Sequence, residues 1–161
     1  RARDNAAGWD ALRESNGSER LATIRDEMAR AMEEGAGIFR LPGQMQTTCD
    51  KIAELKGRYR DLGLVDRSRA FNTEWLNAIE LGYLLDVAEA MAHAALGRKE
   101  SRGSHQRPED FPQRDDAQFL KHSLVYHAAG TPRLDWQDVV ITRSQPAERH
   151  YGAAGQQENT P

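Results

Sequence analysis

Cysteine is almost absent from this chain: Cys49 stands alone among 161 residues. One thiol can form neither an internal disulfide nor the thiolate pairs of a zinc site, which indicates a reducing compartment. No apolar run approaches the ~20 residues that span a bilayer, and no signal-peptide core follows Arg1. We therefore expect a soluble, cytoplasmic protein. Because the chain begins without an initiator methionine, we interpret it as a fragment of a longer protein.

Catalytic signatures are also missing. The sequence contains no GxSxG, Walker or GxGxxG motif, so neither acyl transfer nor a phosphate cradle is indicated. The five histidines form no HExxH pair. Cys49 falls on the apolar side of a predicted helix, where a free cysteine usually acts as a small hydrophobic residue. We predict no catalytic, cofactor-binding or metal-ligating residue in this chain.

Charge of one sign does not dominate. The chain carries 22 basic and 25 acidic residues, a net charge of −3 and a pI near 6.0. This balance excludes general attraction to nucleic acid or to an anionic membrane surface. The mean hydropathy of −0.77 is low for a chain that suits one domain. We expect other protein to cover part of the surface.

Three segments show the spacing of amphipathic helices. Ser18 can cap the first of them, and Asn72 or Thr73 the third. The sequence predicts a mainly α fold, an antiparallel three-helix bundle of the spectrin-repeat-like kind, over residues 18–105. Residues 1–17 are predicted to be a linker or docking arm. The apolar positions are Leu21, Ile24, Met28 and Met32; Met45, Cys49, Ile52, Leu55, Tyr59 and Leu62; and Leu76, Ile79, Tyr83, Leu84, Val87 and Met91.

The pattern changes after the bundle. Residues 120–127 alternate with a period of two, 128–132 break the run, and 134–141 are again β-prone. We predict a charged loop followed by a small C-terminal β-hairpin, together forming an extension over residues 106–151. The small polar residues 152–161 predict a disordered tail.

The most charge-rich stretch covers residues 98–116 and is called the charged elbow here. Its first cations are predicted to lie in the last turn of the third helix, where they complement unpaired carbonyls. A left-handed backbone is expected at the elbow's glycine, and its histidine can titrate near neutral pH. We predict a structural or interface role in preference to catalysis. The residues are Arg98, Lys99, Glu100, Arg102, Gly103, His105, Arg107, Asp115 and Asp116.

Several short motifs occur in a fixed order along the chain. Together they resemble the C-terminal domain of the flavoprotein subunit of fumarate reductase and succinate dehydrogenase, over roughly residues 20–151. The motifs are FNTE at 71–74, LDVAEA at 85–90, RKESRGSH at 98–105, FPQRDD at 111–116, FLKHSL at 119–124, VIT at 140–142 and PAERHY at 146–151.

The resemblance implies a parent protein that interconverts succinate and fumarate through FAD. In that family the flavin-binding and capping domains hold the FAD and the catalytic residues, and none of their motifs occurs here. The implied partners are the flavin-binding domain of the parent chain and an iron–sulfur subunit. No direct membrane insertion is implied. The intact complex would lie on the inner face of the cell membrane, and the fragment alone would be inactive.

Two alternatives stay open. L-aspartate oxidase resembles the chain through the KESRG part of the elbow, but it generally lacks the RDD, FLKH, hairpin and PxxRxY features. A non-enzymatic helical scaffold or adaptor would share only the bundle.

Overall fold

The computed structural model describes residues 2–144 and Ala147, with side chains from residue 6 onward. It confirms a mainly α fold that carries a small antiparallel hairpin. The predicted tail at 152–161 and the PAERHY motif, apart from Ala147, lie outside the described residues. The elements are α1 (Ala2–Arg13), α2 (Leu21–Ala36), α3 (Pro42–Tyr59), α4 (Thr73–Gly97), α5 (Asp116–Phe119), β1 (Lys121–Tyr126) and β2 (Arg133–Asp138).

The starts of the bundle helices follow local chemistry. Pro42 opens α3, where a missing amide hydrogen costs nothing. Asn72 precedes α4 and accepts a hydrogen bond from the Trp75 amide at 2.7 Å, which confirms the predicted cap. The Ser18 cap was wrong. Arg20 precedes α2 without a side-chain cap, because the Ser18 hydroxyl donates instead to Asp61 Oδ2 at 2.6 Å.

The core lies where α2, α3 and α4 meet, and the loop after α3 closes it. Most of the residues expected on the apolar faces of α2 and α3 lie in this core, which confirms the two predicted faces. Burying each such side chain contributes ~1.5–3 kcal/mol. The fully buried larger side chains of this cluster are Ile24, Ile52, Leu55, Leu62, Leu81 and Leu85.

Helix α4 turns a different face to the bundle from the one predicted. The expected stripe is largely exposed, and a narrower face of smaller residues packs inward. Small side chains let α4 approach α2 and α3 closely, as at Gly82, where an added Cβ would lie 2.8 Å from the Tyr59 hydroxyl. The buried residues of α4 are Ala78, Leu81, Leu85, Ala88, Ala92 and Ala95.

The segment predicted as a linker or docking arm contains α1, which packs on α4. The indole Nε1 of Trp75 donates to the Trp9 carbonyl at 2.7 Å. Arg13 is buried and donates to the Arg67 carbonyl at 2.6 Å. The division of the chain into units at residues 17, 105 and 151 remains a prediction.

The hairpin packs against the end of α4. Its strands pair from Lys121↔Asp138 to Tyr126↔Arg133. A two-stranded sheet is only marginally stable unless it packs on something else. Here Leu134 of β2 packs closely on Gly97 of α4: a Cβ added at Gly97 would lie 2.5 Å from Leu134 Cδ1. β2 ends at Asp138, so residues 139–141 of the predicted β-prone run do not extend the strand.

Candidate interface: the charged elbow and an exposed face of helix α4

The charged elbow begins one residue after α4 ends at Gly97. Arg98, Lys99 and Arg102 therefore lie beyond the helix, and their predicted place in its last turn was wrong. The carbonyls at the helix end are satisfied from farther along the chain. Arg107 Nη1 donates to the Leu96 carbonyl at 2.9 Å and to the Arg98 carbonyl at 3.1 Å. The buried Arg107 thus supplies the favourable positive charge at this terminus.

Glu100 is the buried centre of the elbow, with no exposed surface. Its carboxylate accepts hydrogen bonds from Arg102 at 2.9 and 2.8 Å, from the Asp115 amide at 3.0 Å, and from Arg98. Burial alone would raise the pKa of Glu100, but these donors outweigh burial and hold the pKa below its usual value. The carboxylate is therefore ionised, and it holds two arginines in place.

Arg98 joins the bundle to the hairpin. Besides Glu100 it donates to the carbonyls of Phe119 at 2.8 Å and Lys121 at 2.6 Å, and to the Ser123 hydroxyl. Its guanidinium also lies 5.1 Å from the ring centre of Trp136. Every N–H of this guanidinium has a partner, so Arg98 acts as an internal brace.

Arg102 and His105 enclose a tight turn. The backbone amide of each donates to the carbonyl of the other, at 2.8 and 3.0 Å. Gly103, the first central residue, has φ +57°, which confirms the expected left-handed backbone. This glycine serves the turn and not the end of α4, since the helix stops six residues earlier.

His105 is buried between two cationic side chains. Its Nε2 lies 3.1 Å from the Arg98 carbonyl, an acceptor, so Nε2 carries the proton. The Nδ1 atom then accepts from Arg40 Nη1 at 2.5 Å. Burial lowers the pKa of His105, and the nearby charges of Arg40 and Arg107 lower it further. The imidazole is therefore neutral near pH 7.

Sequence reasoning missed Arg40. This side chain donates to the carbonyls of Ala36 at 3.0 Å and Gly37 at 2.7 Å, which end α2. The available signal was a cation just after a predicted helix end, where basic side chains often bind the last carbonyls. Its contact with His105 joins residues 65 positions apart, a separation that local patterning does not reveal.

Asp115 and Asp116, the two aspartates predicted as elbow residues, make different contacts. Asp115 caps α5 by accepting from the Gln118 amide at 2.9 Å. Asp116 accepts from Arg102 at 2.6 Å and from Arg114 at 2.8 Å. Lys99 is exposed. The structure thus gathers most of the predicted elbow residues into one internal network, while their role in binding other proteins remains a prediction.

One face of α4 exposes large apolar side chains, each at least 38% accessible. These residues, here called the apolar stripe, are Leu76, Tyr83, Leu84, Val87 and Met91. Phe71 precedes the helix, is fully exposed, and has φ +55°, a conformation that an aromatic residue rarely adopts. The stripe and Phe71 form a largely apolar surface on one side of the bundle. The exposed Glu80, four residues from both Leu76 and Leu84, is the charged exception within it.

Other groups offer little chemistry. Burial raises the pKa of the Cys49 thiol to about 11, so it is not a nucleophile. Across residues 2–144, no cluster of three or more His, Cys, Asp or Glu is placed to hold a metal. A groove of about 840 Å³ lies between α2 and α3, but it mixes acidic and basic side chains. No described helix has the length and apolarity that a bilayer crossing requires.

The described residues thus form a mainly α domain, a helical bundle with a small hairpin, whose elbow is braced internally and whose helix α4 exposes an apolar face. The sequence pattern described as Fumarate reductase flavoprotein C-term matches residues 25–151. The chain belongs to this family.

Solved and curated proteins agree with this assignment. The chain is 56% identical over 143 residues to the fumarate reductase flavoprotein subunit of Proteus vulgaris, covering 88% of this chain and 24% of that protein. It is 51% identical over 153 residues to the fumarate reductase flavoprotein subunit of Haemophilus influenzae, covering 94% of this chain and 25% of that protein. An Escherichia coli quinol fumarate reductase structure superposes with a TM-score of 0.83 at 51% identity, over 91% of this chain and 26% of that one. The chain thus spans about a quarter of these relatives' length.

Proposed function

We propose that this chain is the C-terminal helical domain of an FAD-dependent flavoprotein subunit that interconverts succinate and fumarate. FAD and the catalytic residues belong to the rest of that subunit, which passes electrons to an iron–sulfur subunit. The complex lies at the inner face of the cell membrane, held there by other subunits. The named relatives favour this reading over L-aspartate oxidase, and family membership disfavours a free-standing adaptor.

Within that protein the domain docks on the flavin-binding part through the apolar stripe. The exposure of five large apolar residues on one helix carries this proposal. A helix that is apolar over most of its circumference is normally buried on all of those faces, and the bundle buries only one of the two apolar faces of α4. An apolar surface of this kind typically marks a protein contact.

Phe71 supports the same surface. A positive φ at a residue other than glycine costs ~1–3 kcal/mol and persists where the surroundings fix it. Here the strained backbone presents a fully exposed aromatic ring at the start of α4. The expected compensation is burial of that ring against the docking partner.

The charged elbow contributes indirectly. Because Arg98, Glu100 and Arg107 find their partners inside the chain, they fix the hairpin against the bundle. This arrangement gives the domain one rigid outline to present to the flavin-binding part and to the iron–sulfur subunit. The exposed Lys99 is the elbow cation best placed to reach another subunit.

A charge placed within the stripe tests this function in the full-length flavoprotein. Val87→Lys should lower succinate–fumarate turnover and flavin content at least ~10-fold, because burying an unpaired ammonium costs several kcal/mol. Ala29→Lys adds the same charge at an exposed position of α2 and should leave both unchanged. Full activity of the Val87 variant would contradict the docking role, and aspartate oxidation by the unaltered protein would contradict the substrate class.

A further inference from the structure

A small cavity beside the elbow is lined by cationic groups. It has a volume of about 330 Å³ and lies between α4, the α2–α3 connection and β1. Ala94 and Ala95 form an apolar wall, and Met91 connects the cavity to the apolar stripe. Among the residues that the structure describes, none with a carboxylate lines it. Its polar lining, here called the basic pocket, consists of Arg40, Arg98, Arg102, His105 and Ser123.

The charges around the basic pocket do not balance. Arg98 and Arg102 share the buried carboxylate of Glu100, and Arg102 also pairs with Asp116. Arg40 has no such partner: within the described part of the chain, no carboxylate lies within 4 Å of its guanidinium. Its contacts are two carbonyls and the neutral ring of His105. One positive charge is therefore left uncompensated in a half-buried site.

Guanidinium hydrogens remain available for a ligand. A guanidinium has five N–H donors, and Arg40 uses three of them, one each to Gly37, Ala36 and His105. Arg102 directs Nε and Nη2 at carboxylates, while its Nη1 has no partner among residues 2–144. Planar forks of this kind bind carboxylates through paired hydrogen bonds.

We propose that the basic pocket receives the carboxylate of an Asp or Glu side chain from the flavin-binding part of the same flavoprotein. This inference rests on the proposed docking of the apolar stripe. Met91 belongs to both surfaces, so a partner lying along α4 reaches the pocket at the end of the stripe. The alanine wall suits the methylene groups of an acidic side chain, and the carboxylate neutralises Arg40.

Carbodiimide coupling in the full-length protein tests this contact. Arg40→Lys places a primary amine in the pocket, and a carbodiimide joins that amine to any carboxylate touching it. We expect a linked peptide, found by mass spectrometry, between position 40 and an acidic residue outside the 161-residue chain. Ala29→Lys, whose amine lies on an exposed face of α2, should give no such peptide.

The alternative outcomes are distinct. Coupling only to Glu100 or Asp116 would overturn the inference, because the pocket would then be internally satisfied. Coupling to added free succinate in place of a protein carboxylate would assign the pocket to a small dicarboxylate and overturn it as well. If maleimide labelling of Val87→Cys shows that the stripe is covered while position 40 stays uncoupled, the basic-pocket inference fails and the proposed function stands.

Arginine modification in the unaltered protein gives a second measurement that needs no variant. Phenylglyoxal should modify Arg40 in the 161-residue chain. In the full-length flavoprotein, Arg40 should be protected from this reagent. Arg69, which is largely exposed, serves as the reference for reagent access in the isolated chain. Equal modification of Arg40 in both proteins would overturn the inference.

Discussion

Glu100 places a full negative charge in a site without solvent access. Glu100→Gln keeps the size of the side chain but leaves Arg98 and Arg102 without their shared carboxylate. We expect the free energy of unfolding to fall by ~3–5 kcal/mol, the usual cost of breaking a buried ion pair on one side. Urea denaturation measures this change.

Glu109→Gln is the matched control, because Glu109 is an exposed carboxylate of the same elbow. Its effect should stay within ~0.5 kcal/mol. If the two variants were equally stable, Glu100 would not be the centre of the network.

His105 should make the stability depend on pH. Its folded-state pKa lies below the ordinary value of 6.5, chiefly because of burial; the neighbouring arginines lower it further, and the hydrogen bond to the Arg98 carbonyl opposes the shift without cancelling it. Below about pH 6.5 the unfolded chain therefore binds more protons at this residue than the folded chain does. The contribution of His105 to stability is complete above about pH 6.5 and declines as the pH falls from there toward the lower folded-state pKa. Urea denaturation between pH 7.5 and 5.5 should show the decline. His105→Asn should flatten it, whereas His127→Asn at an exposed position should not.

At the scale of the helix, two adjacent leucines distinguish the faces of α4. Leu85 is 1% exposed and Leu84 is 38% exposed. Leu85→Ala should lower the free energy of unfolding of the 161-residue chain by ~2–5 kcal/mol, because it opens a cavity in the core. Leu84→Ala should cost under ~1 kcal/mol. Thermal or urea denaturation of both variants measures these changes. A larger loss of stability for Leu84→Ala than for Leu85→Ala would show that the buried and exposed faces of α4 are the other way round.

The same helix shows how far the sequence predicts the fold. Periodicity located α2, α3 and α4 and the apolar faces of α2 and α3. It failed to choose the face of α4, because the helix has two neighbouring apolar faces, one with Leu81 and Leu85 and the other with Leu84. Only the tertiary arrangement decides which side the bundle buries.

The elbow shows the corresponding limit for the candidate site. Its residues were identified from charge density and family motifs, and Gly103 from its conformational freedom. The internal pairing of Arg98 with the hairpin, and of Arg40 with His105, was not predictable. These contacts join residues that are far apart in sequence, and a charge pattern does not distinguish an internal partner from an external one.

At the scale of the whole molecule, the chain should not carry the cofactor of its proposed parent. The glycine-rich phosphate-binding motif is missing from the sequence. We expect the purified 161-residue chain to lack flavin absorbance after incubation with FAD and gel filtration, and to leave succinate unoxidised. A yellow protein after this treatment would contradict the assignment of FAD to the rest of the flavoprotein.

The central claim is that the apolar stripe is covered when the domain is part of the whole flavoprotein. Maleimide labelling of Val87→Cys measures this directly, since the buried native Cys49, with its raised pKa, contributes little background. We expect rapid labelling in the 161-residue chain and strong protection in the full-length protein, with Ala29→Cys labelled equally in both. Equal labelling of Val87→Cys in the two proteins would contradict it.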